Sequence, residues 1–272
     1  MTARAVRPFD WALPPRPIRH REVATVLPPV ATGRPPLLFV PGWRHGAWCY
    51  AEHWLPVAAA RGFPAHAVSL RGHGGSDGAS RLGRTLPRDY VHDLMQTIVT
   101  LPEQPVLIGH SGGAAVVSRV IEDYPARAAV FLAPAPLRHG ARAAAHLARS
   151  DPRALLHALA GAPLPMSRAT LFGAQLPAAE ASRHLARLDG ESPWVQYLTL
   201  LPHRPRPARC PVLVVGSPDD RLVPPQDVAE TARHYDTTPV WFPGMGHDLM
   251  LDARWAEPLE TILGWIERTV QD

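Results

Sequence analysis

The chain contains one serine in a setting suited to nucleophilic chemistry. Gly109-His110-Ser111-Gly112-Gly113 follows the apolar run Val106 to Ile108 and precedes the helix-like stretch Gly112 to Asp123. This fits the pattern Gly-x-Ser-x-Gly at a sharp strand-to-helix turn, where the flanking glycines remove side chains that would collide and leave the hydroxyl in the open. At the start of a helix, the free N–H of Gly112 and the positive end of the helix dipole would also favour a nearby oxyanion.

A serine hydroxyl is a weak nucleophile near neutral pH and needs a base, which in turn needs a group to orient it. Two loops downstream supply candidates. Gly216-Ser217-Pro218-Asp219-Asp220-Arg221 follows the run Val212 to Val215, and Pro243-Gly244-Met245-Gly246-His247-Asp248 follows Val240 to Phe242. Both loops leave the carboxyl ends of buried strands, where the active sites of open parallel sheets lie. His247 is therefore read as the general base. Asp219 and Asp220 are not separated by pattern, since one can reach the base while the other caps its loop; Asp220 is the favoured acid. Upstream, Leu37 to Val40 runs into Pro41-Gly42-Trp43-Arg44-His45-Gly46. Gly42 permits a tight turn there, and the amide of Trp43 is the expected partner of the Gly112 amide in an oxyanion hole.

The elements that must bring these loops together are legible as alternation. Short apolar runs at Leu37 to Val40, Ala65 to Leu70, Val106 to Ile108, Ala128 to Leu132, Val212 to Val215 and Val240 to Phe242 read as buried strands. Stretches of helical length, Trp48 to Arg61, Arg88 to Leu101, Gly112 to Asp123, Gln226 to Tyr235 and Arg254 to Thr269, lie between or after most of them. Parallel strands need crossovers, usually helical, so the class is α/β with a mostly parallel sheet covered on both faces. The rhythm breaks between Leu137 and Arg209, where alanine-rich helical patterns are interrupted by prolines without an evident strand. This divides the chain into a core of 1–136 and 210–272 and a helical cap of 137–209. Ile18 to Leu27 offers one or two edge strands, with their pairing open.

Composition removes several alternatives. The 28 basic residues are all arginine, and without lysine neither Schiff-base chemistry nor a Gly-x-x-x-x-Gly-Lys phosphate loop is possible. The net charge of +4 comes from arginines scattered among acids, so no nucleic-acid surface is expected. Cys49 and Cys210 stand far apart and suggest neither zinc nor a disulfide framework. With no long apolar run, the expectation is a cytoplasmic protein without a membrane span. No cofactor or metal is implied, and the oligomeric state is left open.

Phe39-Val40-Pro41-Gly42-Trp43, Ser69-Leu70-Arg71-Gly72-His73-Gly74-Gly75-Ser76, Gly109 to Gly113, Asp220 to Pro224 and Gly246 to Met250 together resemble, in order and nearly end to end, the α/β-hydrolase superfamily. The likeness is nearest to small esterase-, lysophospholipase- and C–C-hydrolase-like members with a helical cap. It implies Ser111 as nucleophile, Asp220 as acid, His247 as base, and an oxyanion hole from the Trp43 and Gly112 amides. The family often opens its oxyanion loop with His-Gly where this chain has Pro41-Gly42. His73 falls in a turn that is architectural in the family. Serine at the elbow, in place of aspartate, argues against the dehalogenase and epoxide-hydrolase branches.

The expected reaction is hydrolysis of a small or lipid-like carboxylic ester through an acyl-enzyme on Ser111. Thioester, lactone or C–C cleavage, acyl transfer or cyclisation, and a non-hydrolytic binding role are the alternatives. For the substrate, a small carbonyl compound, Trp43, His110, Trp194 and Tyr197 are the candidate contacts. Leu155, Leu159, Met166, Phe172 and Leu201 are further candidates to line the pocket.

Overall fold

The computed structural model describes residues 20–136, 142, 145–146, 148–149, 151–159, 162–200 and 205–270. Seven strands form one sheet: β1 (Val23–Val26), β2 (Leu37–Val40), β3 (Ala65–Val68), β4 (Val106–His110), β5 (Ala128–Leu132), β6 (Val212–Gly216) and β7 (Val240–Trp241). Their order across the sheet is β1-β3-β2-β4-β5-β6-β7. All neighbours are parallel except β1, which runs antiparallel along β3, pairing Val23 with Val68 and Val26 with Ala65. The open N-terminal question is thus answered by a single edge strand. Its half-exposed residues suit a position with only one neighbour.

Each central strand is buried on both faces, and the period of two divides its side chains between two apolar layers. Phe39, Ala67, Ile108, Val130 and Val215 face one layer, with Trp54 and Leu55 of α2 (Trp54–Ala60) and Leu259, Ile262 and Ile266 of α10 (Ala256–Thr269). Leu38, Val68, Leu107, Phe131 and Val214 face the other. There they meet Tyr90 and Leu94 of α3 (Pro87–Ile98), Val116 and Val117 of α4 (Gly112–Val120), and Val228 of α9 (Pro225–His234).

The expected helix from Trp48 to Arg61 is broken into α1 (Trp48–Ala51) and α2. Pro56 explains the break: it has no N–H to give the carbonyl of Glu52, so an unbroken helix would lose a bond there, whereas the first turn of a new helix accepts proline. Between β5 and β6 the described residues form no strand. They include α5 (Pro152–Leu159), α6 (Arg168–Leu171), α7 (Ala178–Leu185) and α8 (Pro193–Leu200). Leu171, Phe172, Leu176 and Ala181 from this insertion belong to the first apolar layer and Val195 to the second. These described residues of the segment are therefore packed into the core of the sheet.

Candidate active site

The order of strands reverses between β2 and β4, the switch point at which open α/β sheets place ligand sites. These two strands pair in register, Val40 opposite Gly109, so the loops that follow them emerge side by side. One carries Trp43 and the other Ser111.

Ser111 takes φ 49° and ψ −117° at the boundary of β4 and α4. A side chain at positive φ costs on the order of 1–3 kcal/mol and persists only where surrounding contacts impose it. Those contacts are present. The Ser111 N–H donates to the Leu132 carbonyl at 2.9 Å, and its carbonyl accepts from Ala114 at 3.0 Å and Ala135 at 3.1 Å. The glycines beside it are required by close approach. A Cβ on Gly113 would lie 2.4 Å from the carbonyl oxygens of Val40 and Pro41, and one on Gly109 would lie 2.7 Å from Ala114. A Cβ on Gly112 would meet the Trp43 indole at 2.2 Å, so that ring lies directly over the elbow. The main-chain N–H groups of Trp43 and Gly112 donate to no other group among the described residues.

The loops after β6 and β7 are tied to each other. Ser217 Oγ donates to the Met245 carbonyl at 2.7 Å, and the Gly244 N–H donates to Asp219 Oδ2 at 2.7 Å. Asp220 turns inward instead. Its Oδ1 accepts from Leu222 and Val223 N–H at 2.7 and 3.0 Å, and its Oδ2 lies 2.7 Å from Nδ1 of His247. Both side chains are buried. Burial disfavours the charged imidazole of His247, but the Asp220 carboxylate and its hydrogen bond outweigh this and raise its pKa above the ordinary 6.5.

Ser111 and His247 sit on adjoining loops. His110, the residue before the serine, has its ring centroid 4.8 Å from that of His247, and its Nε2 donates to the His247 carbonyl at 3.1 Å. Burial, with the neighbouring His247, lowers the pKa of His110 to about 3, so it is neutral. As a candidate substrate contact His110 is thus placed differently from Trp43: its ring is enclosed by protein and committed to the loop of His247.

Trp194 is 54% exposed on α8. Of Tyr197 only its place on the same helix is described, and the side chains of Leu155 and Leu159, as well as residue Leu201, lie outside the described structure. Phe172 is buried in the core, and Met166 packs against it. A cavity of about 320 Å³ opens behind the base loop, lined by residues including Arg168, Thr170, Asp219, Arg221 and Gly244. Ser111 is not part of its wall.

Further residues shape the site without having been singled out from sequence, Asp248, His45 and Glu191 among them. Asp248, fully buried, lies with Oδ2 3.0 Å from His45 Nε2 and Oδ1 3.7 Å from His110 Nε2. Burial opposes its ionisation, but His45 above all, with His110 and His247, holds the carboxyl below its ordinary range. Glu191, from the insertion, accepts from the Arg44 N–H at 3.1 Å and from Tyr90 Oη at 2.6 Å. The available signal was polar residues enclosed in glycine-rich loops. Glu191 carried none, because Arg44 and Tyr90 are more than 100 residues away from it in the chain.

The fold and the strand-end loops define a class, and sequence comparison agrees: the chain belongs to the alpha/beta hydrolase family, whose model matches residues 37–259. No curated protein matches it significantly by sequence. Similar solved structures include a monoacylglycerol lipase from Paleococcus ferrophilus, at 22% identity and TM-score 0.69, covering 91% of this chain and 98% of that one. An esterase from Exiguobacterium antarcticum is similar at 14% identity and TM-score 0.70, covering 91% and 95%. A bromoperoxidase from Bacillus anthracis is similar at 16% identity and TM-score 0.68, covering 91% and 94%. At these identities the likeness is one of fold. Among the described residues no helix is long and apolar enough to cross a membrane.

Proposed function

We propose that this hydrolase cleaves a small or lipid-like carboxylic ester through an acyl-enzyme on Ser111. The observation that carries the reading is the buried 2.7 Å contact between His247 Nδ1 and Asp220 Oδ2, on a loop that adjoins the strained turn bearing Ser111. In the proposed cycle, Ser111 Oγ attacks the ester carbonyl while His247 Nε2 takes its proton. Asp220 accepts from Nδ1–H and stabilises the imidazolium. The oxyanion of the tetrahedral intermediate is received by the N–H groups of Trp43 and Gly112. The intermediate collapses as His247 returns the proton to the departing alcohol. Water, deprotonated by His247, then attacks the acyl-serine and releases the acid, and the proton goes back to Ser111.

The insertion at 137–209 serves in this reading as a cap, with the Trp43 indole walling the acyl side. The fold neighbours named as esterase and lipase support the choice of an ester. The test is covalent labelling. The protein is expected to take up one fluorophosphonate and to hydrolyse acyl nitrophenyl esters, and Ser111→Ala to do neither. Absence of an adduct on the unaltered protein would refute the proposal, and a series of acyl chain lengths would report pocket depth.

A further inference from the structure

The turn carrying Trp43 is held by a small set of buried polar contacts. The Trp43 carbonyl oxygen lies 2.8 Å from His45 Nδ1, and His45 Nε2 lies 3.0 Å from Asp248 Oδ2. A carbonyl and a carboxylate can only accept, so His45 is the donor in each contact and its ring is clasped between them. The next main-chain group is also fixed, because the Arg44 N–H donates to Glu191 Oε2. The peptide plane from Trp43 to Arg44 is therefore gripped at both ends. It needs to be, since Arg44 follows at φ 65°, in the left-handed region that side chains avoid.

The preceding plane is set by the same residue. The main-chain N–H of His45 donates to the Gly42 carbonyl at 3.2 Å. In a trans peptide the N–H of Trp43 points opposite to that carbonyl, and the described residues contain no cis bond. His45 thus fixes one plane through its backbone and the next through its ring. Between them they decide where the Trp43 amide points.

We infer that His45 is a positioning residue for catalysis, its Nδ1–H holding the Trp43 turn in the orientation that presents the Trp43 amide to the oxyanion, with Asp248 and Glu191 as its supports. The inference rests on the hydrolase reading and deepens it. His45 touches no reacting atom; it acts through the Trp43 amide. Asp248 adjoins the base His247 in sequence, so one buried carboxylate ties the oxyanion loop to the base loop.

Two substitutions separate positioning from mere stability. Asparagine places an amide N–H near the position of Nδ1, and glutamine places one near Nε2. His45→Asn keeps the donor to Trp43 but leaves Asp248 without its partner; His45→Gln keeps a partner for Asp248 but loses the donor. With a nitrophenyl ester as substrate, His45→Gln is expected to lower kcat about 10²-fold, the cost of one oxyanion donor, with KM changed less than threefold. It should also lose affinity for an alkyl trifluoromethyl ketone, whose hemiketal oxyanion needs the same amides. His45→Asn is expected to keep kcat within about fivefold although it is the less thermally stable of the two. A role confined to stability would rank them in the opposite order. The inference is overturned if His45→Gln stays within twofold of the unaltered protein, if His45→Asn loses as much as His45→Gln, or if neither variant folds. An unaltered protein that neither labels with fluorophosphonate nor turns over ester would overturn both this inference and the hydrolase reading. An active one with an indifferent His45→Gln would overturn the inference alone.

Discussion

Asp220 gives one carboxylate oxygen to two main-chain amides and the other to His247, while Asp219, one residue away, caps the Gly244 turn from an exposed position. If the buried carboxylate fixes the tautomer of the base and stabilises its charged form, Asp220→Asn should lower kcat by about 10³ to 10⁴-fold. Asp219→Asn should stay within a few-fold, and a nitrophenyl ester assay ranks the two. The pH profile follows from the same contact. His247 must be neutral to accept a proton, and its pKa is held above 6.5 by Asp220. The acid limb of kcat/KM should therefore fall away below a midpoint above 6.5, and Asp220→Asn should move that midpoint down as the residual rate drops. Ser111, His247 and the pair Asp219–Asp220 were legible in the sequence because each stands in a glycine- or proline-marked loop behind a buried strand. The choice between the two aspartates was not, since it depends on which side of the loop each side chain leaves. His45 and Asp248 were visible only as polar letters inside the motifs, because their meaning lies in a contact between residues 203 positions apart.

The elbow shows how far a local pattern determines an element. Gly113 faces two main-chain carbonyl oxygens that a Cβ would approach to 2.4 Å, and main chain cannot yield as a flexible side chain can. Gly113→Ala is accordingly expected to destabilise the fold by about 1–3 kcal/mol, read from the midpoint of urea unfolding. Gly83 has nothing within 4 Å of an added Cβ, and Gly83→Ala should change stability by less than about 0.5 kcal/mol. The sheet was legible at this scale because short apolar runs of three to six residues, spaced by stretches of helical length, mark buried strands. Six strands stand where those runs stand, with ends shifted by a residue or two. The division of the first long helix was missed although Pro56 was in plain view.

At the scale of the molecule, the insertion is joined to the sheet by charge as well as by apolar packing. His73 Nε2 lies 3.3 Å from Glu191 Oε2, an ion pair rather than an aligned hydrogen bond, and the Gly74 N–H donates to Asp189 at 2.7 Å. Burial opposes both charges of the pair, yet the mutual attraction raises the pKa of His73 above 6.5 and lowers that of Glu191 below 4.5. A raised histidine stabilises fully below its unfolded pKa and loses that contribution as pH rises through the folded value. A lowered carboxyl stabilises above its unfolded pKa and loses its contribution as pH falls through the folded value. The loss in Tm caused by His73→Gln should therefore be greatest between about pH 4.5 and 6.5 and shrink on either side, as thermal melts across pH will record. Arg183 and Arg187 belong to the same seam: Arg183 pairs with Glu52 at 2.7 Å, and Arg187 stacks over Trp48 at 4.4 Å.

The carboxylate that steadies the Arg44 amide comes from the segment between β5 and β6, not from the strands beside Ser111. That segment and the loops around Ser111 are consequently not interchangeable modules. A chimera built by grafting a foreign segment between β5 and β6 would discard that anchor. Recombination here succeeds only if the donor segment brings an acid to the same spot.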